Sequence, residues 1–355
     1  MERVVNAAGK MTYLGASRLS DGVISAMGEA GRHAVDMAAF MDEVGEEIAR
    51  VTGAEAGRPT ASAAAGIVTA VAASITGADA SLADRVPAPT GRPDEVVLQA
   101  GHAVDFGAPI EQLVCLAGAT PRLAGSVNRV HEHQLAGALG ERTAAILFVV
   151  SHHTSQEGML PIETVVRLAR ERAVPVIVDA AAEDDPRRWL ATGADVCVFS
   201  GHKAFGAPTS GFVCGRRALI EACRVQEAGI GRAMKVGRET LAGLLHALRE
   251  WSARDVQAER ARLEARVEEL SAALAGLSLP VRMRTVRDRT RGIPRLALEA
   301  ATPDAAARVR DALHGGRPRV FTRAHGLASG VIELDPRELD EADIPLIRDR
   351  LAGHG

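Results

Sequence analysis

Apolar runs of strand length alternate with helically spaced apolar positions through the middle of this chain, the pattern of a largely parallel sheet covered by helices. The runs predict strands over residues 96–99, 113–116, 145–150, 174–178, 196–199 and 211–214. Ile162, Val165, Val166 and Ala169 recur at helical spacing within 162–172. The Ala-rich stretch 62–75 reads as a buried helix behind a turn of small polar residues. After about Val236 the pattern changes to two long helices, 239–251 and 258–275, the second with Arg and Glu three and four apart, as on a solvated face. A shorter alternation follows, with strands near 281–283, 295–298, 319–322 and 331–334 and helices over 303–313 and 341–351. The expected organisation is a large domain over 31–250 and a small α/β domain over 251–355 that the N-terminal segment 1–30 joins. The chain shows neither an internal repeat nor a low-complexity tract.

Three of the predicted strands run into a polar residue: Val150 into Ser151, Val178 into Asp179 and Phe199 into Ser200. Ligand sites of open parallel sheets form beyond the carboxyl ends of their strands, so these residues are expected to share a cleft.

Composition narrows the class. The 355 residues are 47% hydrophobic, 25% charged and only 3% aromatic, so a sizeable core must be built from Ala, Val, Leu and Ile. A net charge of -3 argues against nucleic acid or an anionic membrane as the main partner. No apolar run approaches the roughly 18 residues that span a bilayer, and the first residues lack a signal peptide's apolar region, so a cytoplasmic protein is expected. The four cysteines show no CxxC spacing, and Cys197 and Cys214 sit in strand-like runs, as small buried hydrophobes do.

Lys203 then becomes conspicuous. It is one of three lysines, with Lys10 and Lys235, among 42 basic residues, and an amine forms an imine where a guanidinium does not. It stands in a loop of small residues, Gly201, Gly206, Ala207 and Gly211, suited to close approach of a ligand. Asp179 ends the preceding strand. A lysine and a carboxylate so placed suit pyridoxal 5'-phosphate, the amine on its aldehyde and the acid on its ring nitrogen, with Ala181 small enough for the ring to lie against the sheet. The plainer alternatives are a surface lysine and an aspartate that caps the next helix. A phosphate belongs at a helix start, and the turn from Thr60 to Gly66, with Ser62, Ala63 and Ala64, is the natural cup, to which Ser200 and His202 add donors. His102 is placed to set an imidazole against the ring. His152 and His153 follow another strand end. These histidines lack carboxylates at ligand spacing, so no metal is assigned. A Gly-x-Gly-x-x-Gly after a strand, a Walker loop and a nucleophile elbow are all missing.

At these residues the chain resembles the fold-type I pyridoxal phosphate enzymes, in the branch of bacterial selenocysteine synthase, L-seryl-tRNA(Sec) selenium transferase, and its D-glucosaminate-6-phosphate ammonia lyase-like members. The likeness runs through Asn6 to Gly15, Ser151-His152-His153, Gly158 to Pro161, Val176 to Glu183, Phe199 to Lys203, Gly231 to Glu239 and Leu334 to Arg337. It implies an aspartate aminotransferase-like fold with a mostly parallel seven-stranded sheet and a smaller α/β domain. It also implies a Schiff base on Lys203, Asp179 on the pyridine nitrogen, the phosphate at the 60–66 turn, and a homodimer or higher homo-oligomer. The branch commonly has Thr-Ser-Gly where this chain has Thr60-Ala61-Ser62, and Gly in place of His202.

The expected reaction is that of a lyase on a small-molecule hydroxy amino acid or amino sugar acid: Lys203 takes the Cα proton, the β-hydroxyl leaves and ammonia is released. His102 and His153 are alternatives for the acid that assists the leaving hydroxyl. Arg323 is expected to hold the substrate carboxylate, in preference to Arg337. Tyr13 and Arg232 are further substrate contacts, and Lys10, Arg18, Arg232 and Lys235 are candidates for a substrate phosphate. Racemisation or epimerisation starts with the same proton and is the alternative. Selenium transfer to charged tRNA, and a non-catalytic protein of the same fold, are weaker readings.

Overall fold

The computed structural model describes residues 2–88, 91–151, 153–155, 157–288 and 292–353. The chain divides into two units, one comprising 1–18 and 253–355, the other 19–252.

The chain opens with β1 (Val5–Ala7), which belongs to the first unit, and then builds the second. There α1 (Asp21–Arg32) and α2 (Met37–Thr52) lead to β2 (Ala56–Thr60), α3 (Ala63–Thr76), α4 (Ala80–Ala83) and β3 (Glu95–Gln99). Next come α5 (Ile110–Leu116), β4 (Thr120–Ala124), α6 (Glu132–Ala138), β5 (Thr143–Val149), α7 (Ile162–Arg170) and β6 (Val176–Asp179). The unit closes with α8 (Arg188–Ala191), β7 (Val196–Ser200), β8 (Gly211–Gly215), α9 (Arg217–Val225) and α10 (Arg238–Ala253). Its strands form one seven-stranded sheet in the order β2-β8-β7-β6-β5-β3-β4. Strands β4, β3, β5, β6 and β7 are parallel, and β8 runs antiparallel between β7 and β2. Apolar side chains from the two sides of these strands enter separate cores. Val97, Ile146, Val178 and Phe199 pack with α2, α7 and α10, while Val96, Leu147, Ile177 and Val198 pack with α3, α5 and α9. This is the mostly parallel α/β architecture expected.

Residues 113–116, expected as a strand, instead close α5. Ile110, Leu113 and Val114 are its buried positions, three and four apart, so the short apolar run is one face of a helix. The strand that follows it, β4, is exposed along most of its length and contains Pro121, and β2 at the opposite edge contains Pro59. Residues 19–30 cluster with the sheet unit rather than with the N-terminal segment. Ser20 caps α1 through Val23 N–H, its hydroxyl bonds Glu250, and Val23 is buried in the sheet unit's core.

In the first unit α11 (Val256–Leu274) precedes the antiparallel sheet of β9 (Val281–Arg287), β10 (Pro294–Ala300) and β12 (Val331–Leu334), in the order β12-β10-β9. Between β10 and β12 lie α12 (Pro303–His314) and β11 (Val320–Thr322), which pairs in parallel with β1; α13 (Asp343–Ala352) ends the unit. Leu270, Leu298, Leu313, Leu334 and Ile347 fill its core.

Candidate active site

Four parallel strands of the large sheet deliver their last residues to one edge: Gln99 of β3, Val149 of β5, Asp179 of β6 and Ser200 of β7. Asp179 is opposite Val149, its carbonyl accepts from Val150 N–H at 2.8 Å, and the next residue, Ala180, donates to Val198 O at 2.9 Å. Its carboxylate is buried and accepts Ala181 N–H at 3.1 Å. No helix starts there, so the capping alternative does not describe this residue. Burial raises the Asp179 pKa to about 6, against the Ala181 hydrogen bond and the charge of nearby Lys203, which lower it. A buried carboxylate so poised is stabilised by a cationic N–H group brought to it.

Lys203 lies in the turn that joins β7 to β8. The turn closes on itself, with Gly201 N–H donating to Ser210 O at 2.9 Å and Ala207 N–H to Gly201 O at 3.0 Å. Beneath it Phe205 is buried among Phe199, Phe212 and Trp251, with ring centroids 6.0, 5.1 and 5.2 Å away. In a chain with so few aromatics this cluster pins the lysine loop to the sheet, a role the sequence reading did not assign to Phe205. His202 turns inward. Its Nδ1 lies 3.3 Å from the buried Ser200 hydroxyl, and its Nε2 is buried with no hydrogen-bond partner. Burial, with the neighbouring Lys203 charge, lowers its pKa.

Across β8 from this turn begins α3. Ser62 caps it by accepting Ala65 N–H at 3.0 Å, and Thr60 fixes the entry by donating to Ser62 O at 2.8 Å. That leaves the Ala63 and Ala64 amides, in the first turn, without intrahelical acceptors. Gly211, opposite Ser200, permits the approach: a Cβ there would stand 2.4 Å from the Ser62 carbonyl carbon and 2.5 Å from Ala63 N.

His102, in the 3-10 turn after β3, is buried with Nδ1 accepting Val149 N–H at 3.2 Å and its ring edge-on to Phe148. Burial drives its pKa down to about 4, so the ring is neutral at physiological pH with its proton on Nε2. The described residues of the segment 151–160 pack over this turn. Ser155 N–H donates to Gly101 O at 3.0 Å, and the Gln99 side chain bonds both Leu160 O and Leu160 N–H, at 3.1 and 2.7 Å. A buried glutamine at a strand end was the available signal for Gln99. His153 sits exposed in that segment, its N–H on the Ser151 hydroxyl at 3.2 Å. His152 and Gln156 lie outside the described residues.

The structure thus brings Ser62, Ala63, Ala64, His102, Asp179, Ala181, Ser200, His202 and Lys203 to neighbouring positions within one unit. Arg232 is exposed on the same unit, in a 3-10 turn. Tyr13 and Arg323 belong to the other unit. Tyr13 is exposed, edge-on to Phe321. Arg323 bonds Ala8 O at 3.4 Å and lies 3.6 Å from Glu333. Arg337 is spent on Asp335, and Arg18 pairs with Asp340 and Asp343. Lys10 is largely enclosed, and burial lowers its pKa. Among the described residues no cluster of three His, Cys, Asp or Glu could hold a metal, and no helix is long and apolar enough to cross a membrane.

The residues gathered here fit pyridoxal 5'-phosphate. The buried acid suits the ring nitrogen, Lys203 the aldehyde, and the first-turn amides of α3 and the unpartnered His202 nitrogen the phosphate. Comparison with known proteins agrees. Residues 4–274 match the family model described as L-seryl-tRNA selenium transferase. The chain belongs to that family. Within it, this member is 40% identical over 354 residues to D-glucosaminate-6-phosphate ammonia lyase of Salmonella typhimurium, covering 99% of this chain and 95% of that protein. It is 41% identical over 365 residues to 5'-C-glycyluridine monooxygenase-decarboxylase of a Streptomyces species, covering 99% and 90%. The solved structure of a D-glucosaminate-6-phosphate ammonia-lyase superposes with a TM-score of 0.91 at 39% identity, over 100% of this chain and 96% of that one. A structure of SPT with PLP internal aldimine superposes at 0.62 with 16% identity, over 99% and 87%, which shows a shared fold. The family member therefore has the fold-type I pyridoxal phosphate enzyme architecture.

Proposed function

We propose that this protein is a pyridoxal phosphate-dependent ammonia lyase acting on a β-hydroxy amino acid of the amino sugar acid class. The observation that carries the reading is the end-to-end likeness to the lyase in a chain whose Lys203, Asp179 and His102 converge at one sheet edge. The bound cofactor supplies an electron sink for the pair left on Cα. The residues supply the rest. Asp179 holds a proton on the ring nitrogen. Its burial makes that pairing strong, because the carboxylate has little water to lose. Lys203 Nζ takes the Cα proton and delivers it to the departing β-hydroxyl oxygen. His102, neutral and fixed by Val149, is a flat wall for the ring and not the acid, since an imidazole with a pKa of about 4 is not protonated at neutral pH. His153 is left as the alternative acid. Arg323 and Tyr13 are kept as the contacts for the substrate carboxylate and tail, with Arg232. The family likeness further supports a cytoplasmic enzyme working as a homodimer or larger homo-oligomer.

A second reading has one observation in its favour: the identity to the monooxygenase-decarboxylase is as high as that to the lyase. Oxygen separates the two. Ammonia and a 2-oxo acid released from an amino sugar acid under nitrogen support the lyase; carbon dioxide released only in air rejects it. Inverted amino acid without any oxo acid rejects it in favour of an epimerase. Borohydride should fix the cofactor to the wild-type protein and not to Lys203→Ala, whose ammonia release should fall by about four orders of magnitude or more. A cofactor that still attaches in the variant removes Lys203 from the mechanism.

A further inference from the structure

Three residues stand side by side in the large sheet where α3 begins: Thr60 at the end of β2, Gly211 at the start of β8 and Ser200 at the end of β7. His202 is folded back onto this row. Its Nδ1 faces the Ser200 hydroxyl at 3.3 Å, and its Nε2 is buried without a hydrogen-bond partner among the described residues. A buried ring nitrogen left unpaired is costly, and a ligand atom that meets it removes the cost.

The elements around this row are poor in positive charge. Helix α3 and strands β7 and β8 contain no charged residue, and the turn from β7 to β8 carries only Lys203 besides His202. Arg58 of β2 is held by Asp42 and Glu227. Helix α10 packs on the turn through Leu244, and its charged groups look elsewhere: Arg238 to Gly31 O and Glu239, Arg249 to Glu43, His246 to Glu250. Asp179, at the end of β6, interacts with Lys203. In the cofactor-free protein burial and the Lys203 charge lower the His202 pKa, opposed by the Ser210 backbone, so its ring is neutral. A phosphate monoester carries close to two negative charges at neutral pH. At the Ala63 and Ala64 amides it meets the partial charge of a helix start and no guanidinium from these elements, while the Lys203 amine is committed to the aldehyde.

We propose that His202 is the charged partner of the cofactor phosphate: loading the site draws a proton from solvent onto its imidazole, which then donates from Nε2 to a phosphate oxygen and from Nδ1 to the Ser200 hydroxyl. The inference rests on the cofactor assignment and is independent of the reaction catalysed. The sign of its pH dependence follows. The phosphate raises the pKa of the ring, so the affinity it adds is present at low pH and is lost as the pH rises through that raised value.

Calorimetric titration of the cofactor-free full chain with pyridoxal phosphate at pH 7.5, in two buffers of different ionisation enthalpy that are neither primary amines nor phosphates, counts the protons taken up. Wild type should take up about one proton more than His202→Gln, whose melting temperature without cofactor shows that it is folded. The variant's amide can still donate but carries no charge, so at pH 7 it should bind pyridoxal phosphate roughly tenfold or more weakly than wild type, with the gap closing towards pH 9. Unphosphorylated pyridoxal should bind both proteins alike. Equal proton counts, or a loss of affinity that is the same at both pH values, overturn the proposal. Nitrogen-15 spectra of wild-type holoenzyme test it without any variant: both ring nitrogens of His202 should carry protons at pH 7.5, and a neutral ring overturns it. Wild type that takes up no pyridoxal phosphate overturns the cofactor assignment itself, an outcome distinct from cofactor uptake without the extra proton.

Discussion

At the scale of single residues the decisive group is Asp179, because burial and function pull its proton in opposite directions. Its pKa is raised from 3.8 to about 6, so in the cofactor-free protein burial keeps the acid neutral up to about pH 6 and no further. The stability this gives is fully present below about pH 3.8 and is lost as the pH rises through about 6, leaving a buried anion that costs about 3 kcal/mol at neutral pH. Asp179→Asn keeps the shape and removes the charge. The cofactor-free variant should therefore melt higher than wild type at pH 7.5 and no higher at pH 4, while the same substitution weakens cofactor binding and slows turnover. A wild-type advantage at pH 7.5 without cofactor would mean that the acid has a cation of its own. Asp179 and Lys203 were legible in the sequence because each is a chemical oddity against its surroundings, a carboxylate in an apolar run and a lysine in an arginine-rich chain. Gln99 and Phe205 were not. Their roles depend on what packs against them, which spacing along the chain does not encode.

At the scale of elements the site is made by the start of α3 lying hard against β8. The contact is backbone to backbone at Gly211, where a methyl group would come within 2.4 Å of Ser62. Gly211→Ala should therefore push the helix start and its free amides away from the phosphate position. Cofactor affinity should drop by roughly tenfold or more, the equivalent of one lost charge-assisted hydrogen bond, and added cofactor should restore less of the melting temperature than in wild type. Fluorescence titration with pyridoxal phosphate measures the first and a thermal melt the second; an unchanged dissociation constant would place the phosphate elsewhere. The interior strands β3, β5, β6, β7 and β8 were readable as apolar runs because they are covered on both sides. The edges were not. Strands β2 and β4 carry Pro59 and Pro121 and lack a continuous apolar run, as edge strands do, so they gave no strand signal, while the helical face at Ile110, Leu113 and Val114 was taken for one.

At the scale of the whole molecule the groups that fit the cofactor all fall within residues 19–252, and the first unit is held together by different physics. There the buried Arg295 serves three carboxylates at once, with Asp288 at 3.0 Å and Glu333 and Asp335 each at 3.1 Å. Asp335 is held by Arg337 and Arg295 at a pKa of about 2, against the upward pull of burial. Its contribution is thus present above about pH 3.8 and lost as the pH falls through about 2, the reverse of Asp179. Arg295→Met keeps most of the side-chain volume and strips a shared cation from three acids, which should cost the first unit about 3 to 5 kcal/mol at pH 7. Because Lys203, Asp179 and the α3 cup lie outside that unit, the variant should still be yellow and still be fixed to its cofactor by borohydride. Calorimetry would show an early transition that leaves the cofactor absorbance intact, followed by a later one that releases it. Loss of the absorbance in the first transition would mean that the cofactor depends on the first unit as well, and that unit 19–252 does not hold it alone.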